Sequence, residues 1–508
     1  MGTVPARFDI EIIQHGSEVH NEERRMQLRE KQGARGYPCT AQGFIRMACG
    51  GLFCIVALIS SESCSEGVKN IILMIGDGWG FNHLESTDYF QHGEKGKQVF
   101  EKEFLALAVS TYPAEGSYDP ALAWSDFDYV KTGTTDSAAA ATALATGYKT
   151  KNGKIGLNPE DHFLENLVEK AEKQHKSTGV VTTVQFSHAT PAAFGAHNTS
   201  RGNYEEIAQD MFVRSGLDVI MGACHPWFDK AGHMLAEANG ADLPEEIPEK
   251  NYRYVGGASV WHELLSGRYG GDADGDEQAD PWTIVQTRAE FQKLLEGDTP
   301  KRVLGVAQIE STLQFYRDSS IGDIAAETPG QSPRIETVPT LAEMMMGALN
   351  VLDNDPDGFF LMVEGGAIDW ASRKSTGRTI EETMDYISAI ESAVAWVNTN
   401  SNWEETLMVI TADHETGYPN GPGSDPEWKP IQNNGQGKLP GLEWYGGHTR
   451  SLVPLFVKGK GSEEFSKAAM KEDPKRGNYL DNTDIGRILG EFLSQSGFVS
   501  GCMGKITP

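Results

Sequence analysis

The sequence predicts the α/β class: a three-layer α/β/α sandwich built on a large, mostly parallel central sheet, with inserted, crown-like surface segments. Three observations carry this. First, five apolar runs are nearly continuous in Val, Ile, Leu, Phe and Met, as strands covered on both faces are. Second, segments of helical periodicity lie between them, so strand and helix alternate along the chain. Third, most of the runs give way at once to polar residues, as expected where ligands gather beyond the carboxyl ends of parallel strands.

The runs, in order, are "NIILMIGDGWG" from Asn70 to Gly80, "TGVVTTVQFSHATP" from Thr178 to Pro191 and "FFLMVEGGAID" from Phe359 to Asp369. "LMVITADHETG" spans Leu407 to Gly417 and "LVPLFVKGKG" spans Leu452 to Gly461. Helices are expected in "AAAATALATG", "EDHFLENLVEKAEKQ", "TVPTLAEMMMGALNVL" and "TIEETMDYISAIESAVAWVNT". Two stretches read as insertions, at about 225–335 and 418–445. The first contains the acidic run "GGDADGDEQAD", which lacks the full spacing of an EF-hand and reads as a solvated loop. The second is rich in Gly, Pro and Asn and reads as a long loop.

The chain has 508 residues and a formal net charge of -28, which argues against a nucleic-acid surface. A small anionic substrate would need local positive charge to enter that field. The six cysteines form no CxxC pair, so a thiolate zinc site is not expected. Residues 1–66 read as a leader, with the h-region of a signal peptide at about 47–59 following Arg46. That apolar run falls short of the roughly 20 residues a membrane span needs. Met26 or Met47 is the expected working start, and the mature protein, 67–508, is expected to be secreted or periplasmic.

The polar residues that follow the strands are Asp77, His188, Glu364, Asp369, Asp413 and His414, with His448 just before the last run. Each alone is ordinary: a turn, a loop pair, a satisfied histidine. Their convergence at predicted strand ends points to a metal site, since carboxylate oxygens and imidazole nitrogens are ligands that zinc accepts. Asp136 and Ser137 precede the alanine run, placing Ser137 at a helix N-terminus, where free N–H groups and the dipole favour an anion. On its own this pair would be a helix cap.

Six motifs in order, "MIGDGWG", "TDSAAAATA", "HATPAAFGAHNTSR", "VEGGAID", "TADHETG" and "GGHTRSLVPLF", resemble those of the alkaline phosphatase family. The resemblance runs from about Val68 to Gly461, apart from the insertions. It implies that Ser137 is a nucleophile that is transiently phosphorylated and that Arg201 clamps phosphate. It implies a first zinc on Asp77, Asp413 and His414, a second on Asp369 and His448, and magnesium on Asp77, Thr190 and Glu364. His188, near magnesium, and Trp370 stand at positions that vary within the family. The implied activity is hydrolysis of phosphate monoesters, with positioning and charge neutralisation as the main catalytic means. Homodimers are common among such proteins, so a homodimer is an implied expectation.

One position departs from the pattern. The family places a third ligand to the second zinc, a His, four residues after Asp369, and here that residue is Arg373. "DWASRKSTGR" is one residue shorter than relatives of the form "DWASHANQSGR", and no His lies between His262 and His414. Arginine stays protonated and does not ligate zinc. Three outcomes follow: a loose second zinc, an Arg373 guanidinium in its place, or a degenerate or weakly active homologue that acts as a phosphate- or metal-binding protein. A phosphodiesterase of the same superfamily is a further alternative. A sulfatase is disfavoured, because "CHPWF" at Cys224 lacks the Arg such a nucleophile motif carries.

Overall fold

The computed structural model describes residues 67–235, 247–271, 280–317 and 327–494. The expected leader, most of the acidic run at 270–280 and both candidate start methionines lie outside the described residues.

The strands, in chain order, are β1 (Asn70–Gly76), β2 (Leu105–Ser110), β3 (Ser177–Gln185), β4 (Val219–Ala223), β5 (Thr283–Val285), β6 (Val303–Val306), β7 (Phe359–Gly365) and β8 (Thr406–Ala412). They continue with β9 (Glu415–Thr416), β10 (Pro419–Asn420), β11 (Glu443–Trp444), β12 (His448–Thr449), β13 (Val453–Gly459), β14 (Lys471–Asp473) and β15 (Gly477–Asp481). Eleven of these form one sheet in the order β14-β15-β2-β13-β8-β1-β7-β3-β4-β6-β5. All residues of β1, β7 and β8 are buried, which explains why their runs are continuous rather than alternating.

The helices that position the site are α1 (Phe81–His92), α2 (Ser137–Thr146), α3 (Leu167–Glu172), α4 (Ala189–Gly195), α5 (Leu341–Leu352), α6 (Ala367–Ala371), α7 (Thr376–Asn400) and α8 (Asn482–Ser494). One group, α2, α3, α4 and α8, packs together, and α5 and α7 pack with each other and α7 with α1. Both groups lean on β7, so the sheet is sandwiched between them.

Three expectations change on folding. The run at Leu452–Gly461 forms β13, which is antiparallel to both β8 and β2, not parallel. The stretch read as an insertion at 225–335 contains β5 and β6, which extend the sheet in parallel beyond β4. The helix expected across "EDHFLENLVEKAEKQ" is confined to α3. Its start is fixed by a capping box: Asn166 accepts from the Glu169 N–H at 3.0 Å, and Glu169 accepts from the Asn166 N–H at 2.9 Å. Phe163, upstream of that box, is left 76% exposed.

Candidate active site

The site forms at the carboxyl ends of β1, β7 and β8. β1 pairs in parallel with both neighbours, aligning Gly76 with Gly365 and with Ala412. Asp77 and Asp413 are therefore adjacent because each follows its strand by one residue. Gly78, at φ 72°, turns the chain away, and a side chain there would meet the Asp369 backbone at 2.9 Å. Its N–H donates to Asp413 Oδ1 at 3.0 Å.

His448 reaches the same edge by a different route. Because β13 runs antiparallel, the residues before it lie where the parallel strands end. β12 then pairs with β9, setting His448 opposite Thr416. His448 Nε2 stands 3.3 Å from Asp369 Oδ1, and its Nδ1 lies 3.1 Å from the Thr135 carbonyl. The His448 and His414 rings stack at 3.9 Å between centroids.

Asp77, Asp413 and His414 form one cluster of ligand atoms, and Asp369, His414 and His448 form another, each within 4.8 Å. His414 belongs to both: its Nε2 is 3.2 Å from Asp413 Oδ2 and 3.6 Å from Asp77 Oδ1. Burial holds the His414 pKa well below the ordinary value, with His448 adding to the shift, so its ring is neutral. Thr416 was not anticipated. Its hydroxyl donates to Asp369 Oδ1 at 2.5 Å and lies 3.3 Å from His414 Nδ1, tying the two clusters together.

A third group of polar atoms surrounds Glu364, near the end of β7. Asp77 Oδ1, Thr190 Oγ1, Glu364 Oε1 and Asp413 Oδ2 are buried without a hydrogen-bond partner, as is His188 Nδ1. Thr182 donates a short hydrogen bond to the other Glu364 oxygen. Burial raises the pKa of Asp77, and Asp413, Asp369 and Glu364 add to it. Burial likewise raises Asp413 to about 6 and Glu364 to about 7. Crowded, orphaned carboxylates of this kind fit a cation, which would satisfy the oxygens and hold them ionised. His188 is lowered to about 3 by burial and then by Arg201, and its ring contacts Trp370 edge-on at 5.6 Å.

Ser137 is the first residue of α2, buried, with Oγ 3.4 Å from His414 Nε2. Asp136 caps that helix and does more. Its Oδ1 accepts from the Ala139 N–H at 2.9 Å, while Oδ2 accepts from the Gly153 N–H at 2.9 Å and pairs with Arg201 Nη1 at 3.2 Å. The same carboxylate thus orients the helix of the hydroxyl and the guanidinium beside it.

Arg373 lies outside both clusters. It is exposed and makes no ion pair or hydrogen bond with any described residue. Its side chain passes Gly417 and places Nη1 against Gly447. The guanidinium therefore sits on the rim and does not occupy the place of a second metal.

The sequence profile of the family described as alkaline phosphatase matches residues 68–475. The chain belongs to the alkaline phosphatase family. It is 27% identical over 410 residues to alkaline phosphatase 4 of Bacillus subtilis, covering 78% of this chain and 72% of the relative. To the alkaline phosphatase of Escherichia coli it is 29% identical over 400 residues, covering 77% and 78%. A cold-active alkaline phosphatase from Shewanella shares the fold, with a TM-score of 0.56 at 24% identity, covering 84% of this chain and 99% of that one. Family membership supports a phosphatase-type hydrolase with an alkaline phosphatase fold. Among the described residues no helix is long and apolar enough to cross a membrane.

Proposed function

We propose that this chain is a secreted or periplasmic, metal-dependent phosphomonoesterase that passes the phosphoryl group through Ser137. The observation that carries the reading is the buried Ser137 hydroxyl, at the start of α2, 3.4 Å from His414 Nε2 and in the company of Arg201. The Ser137 oxygen would attack phosphorus while the bond to the substrate's alcohol breaks; water would then cleave the phosphoserine to free phosphate. Arg201 spends one nitrogen on Asp136, leaving its other N–H donors for two phosphate oxygens. The free first-turn N–H groups of α2 would favour the same anion.

Asp77, Asp413 and His414 would hold one zinc, Asp369 and His448 a second with His414 in reach, and Asp77, Thr190 and Glu364 magnesium, with His188 beside it. When bound, such ions would lower the pKa of the attacking oxygen and neutralise charge on the departing one. A structurally similar alkaline phosphatase mutant from the Antarctic bacterium TAB5 is described with Mg bound in its M3 site, which supports magnesium as a cofactor here.

Hydrolysis of a phosphomonoester, a phosphodiester and a sulfate ester, with zinc and magnesium supplied, tests the reading. The monoester should be preferred, and Ser137→Ala should lower turnover on the order of a thousandfold or more. Turnover unchanged in Ser137→Ala would refute it. Arg373 favours one rival, a homologue that binds phosphate without hydrolysing it, because it stands where a third ligand is expected. Phosphate binding without turnover of any ester would establish that rival. Metal analysis should find fewer than two tightly held zinc ions per chain; two would show that Asp369 and His448 have another partner.

A further inference from the structure

We propose that Arg373 selects phosphomonoesters whose alcohol carries a second anionic group, a carboxylate or another phosphate. The inference rests on the phosphomonoesterase reading and assigns a role to a cation beside the site that the metal and phosphoryl groups do not use.

Four observations lead there. The guanidinium is exposed and unpaired among the described residues, in a protein whose net charge is -28. Next, its backbone is strained in a definite way. Arg373 has φ 77°, closing α6 with the Lys374 and Ser375 N–H groups both donating to the Ala371 carbonyl at 3.0 Å. Glycine or asparagine is the usual occupant of such a helix end, and a long side chain there is disfavoured.

Third, the turn aims the side chain along the mouth of the site. Gly417 lies beneath its Cγ and Gly447 beneath its Nη1. Gly417 directly follows Thr416, whose hydroxyl holds Asp369, and Gly447 directly precedes His448. The guanidinium thus lies against residues that directly adjoin Thr416 and His448, the two partners of Asp369. Fourth, the floor there is bare. A side chain at Gly447 would meet only Arg373, while at Gly446 the neighbours are Tyr418, Lys131 and Thr449. Lys131, across that floor, is already paired with Asp128 at 2.7 Å and lies over the Phe127 ring. Arg373, by contrast, is free to take a substrate anion, and its planar fork suits a carboxylate or phosphate.

The test compares phenyl phosphate with 4-carboxyphenyl phosphate, on full-length protein supplied with zinc and magnesium, in wild type, Arg373→Ala and Arg373→Lys. The ratio of kcat/KM, carboxylated over plain, should fall about two- to fivefold in Arg373→Ala, as expected for a partly solvated charge pair. Arg373→Lys should restore part of it, and added salt should erode the wild-type ratio. Calorimetry with the matching non-hydrolysable phosphonates should show the same Arg373-dependent preference. An unchanged ratio in Arg373→Ala, in turnover and in binding alike, would overturn the proposal. If no ester is turned over, the hydrolase reading falls; an Arg373-dependent binding preference would still uphold the anion subsite, and its absence would end both.

Discussion

Replacing Arg378 with methionine should be among the most damaging changes available outside the site. Arg378, at the start of α7, is fully buried, and its Nε and Nη2 grip Glu327 at 2.8 and 3.0 Å. Beside it Arg317 grips Glu381 at 2.6 and 2.7 Å, and Arg378 Nη1 lies 3.6 Å from Glu381. Two cations and two anions thus balance in the interior. Arg378→Met removes one charge and strands Glu327, whose side chain is 3% exposed. Breaking a buried pair on one side costs about 3–5 kcal/mol. For a chain of this size that corresponds to a fall in melting temperature of roughly 3–6 °C. The partner change Glu327→Gln keeps an acceptor for the Ser332 N–H, now 3.1 Å from Glu327 Oε1, while removing the stranded charge. The double variant should therefore regain at least half of the loss. Thermal unfolding followed by circular dichroism reads this directly. A single variant within about 1 °C of wild type, or a double variant no better than the single, would refute the argument that charge imbalance is what matters.

Two further outcomes are expected. Asp136→Ala removes a helix cap and the Arg201 tether together, so the protein should lose about 1–2 kcal/mol and inhibition by free phosphate should weaken several-fold; phosphate affinity held at the wild-type level would show that Arg201 is positioned by something else. Glu172 is raised to about 9, by burial and then by Asp218, from an ordinary value of 4.5. A raised carboxyl favours folding below its unfolded pKa, and that contribution is lost as pH climbs through the folded one. Glu172→Gln, which can still accept from Thr178, should therefore match wild type near pH 4 and melt about 1 °C or more higher above pH 9. Equal melting temperatures across that range would dismiss the effect.

Much of the site could be read along the chain because β1, β7 and β8 are local objects. Each is a continuous apolar run, and Asp77, Glu364 and Asp413 stand at or beyond its end. The helix of Ser137 was equally legible from its alanines and its cap. Thr416 and Thr182 were not, since a threonine beside a carboxylate carries no signal until the chain brings the two together across many residues. The buried Arg378–Glu327 fork was hidden for the same reason: charged residues in sequence read as surface.

The sequence by itself determined the α/β class, where the main strands lie along the chain, the family and the residue types gathered at the strand ends. These follow from short-range hydrophobic periodicity and from motifs a few residues long. Only the tertiary structure decided the direction of β13, and with it the arrival of His448 at the edge where Asp369 waits. It also decided that His414 is shared between two clusters and that Arg373 lies on the rim instead of between them. Strand direction and side-chain aim depend on hydrogen bonds and packing between segments far apart in the chain, and no local pattern records them.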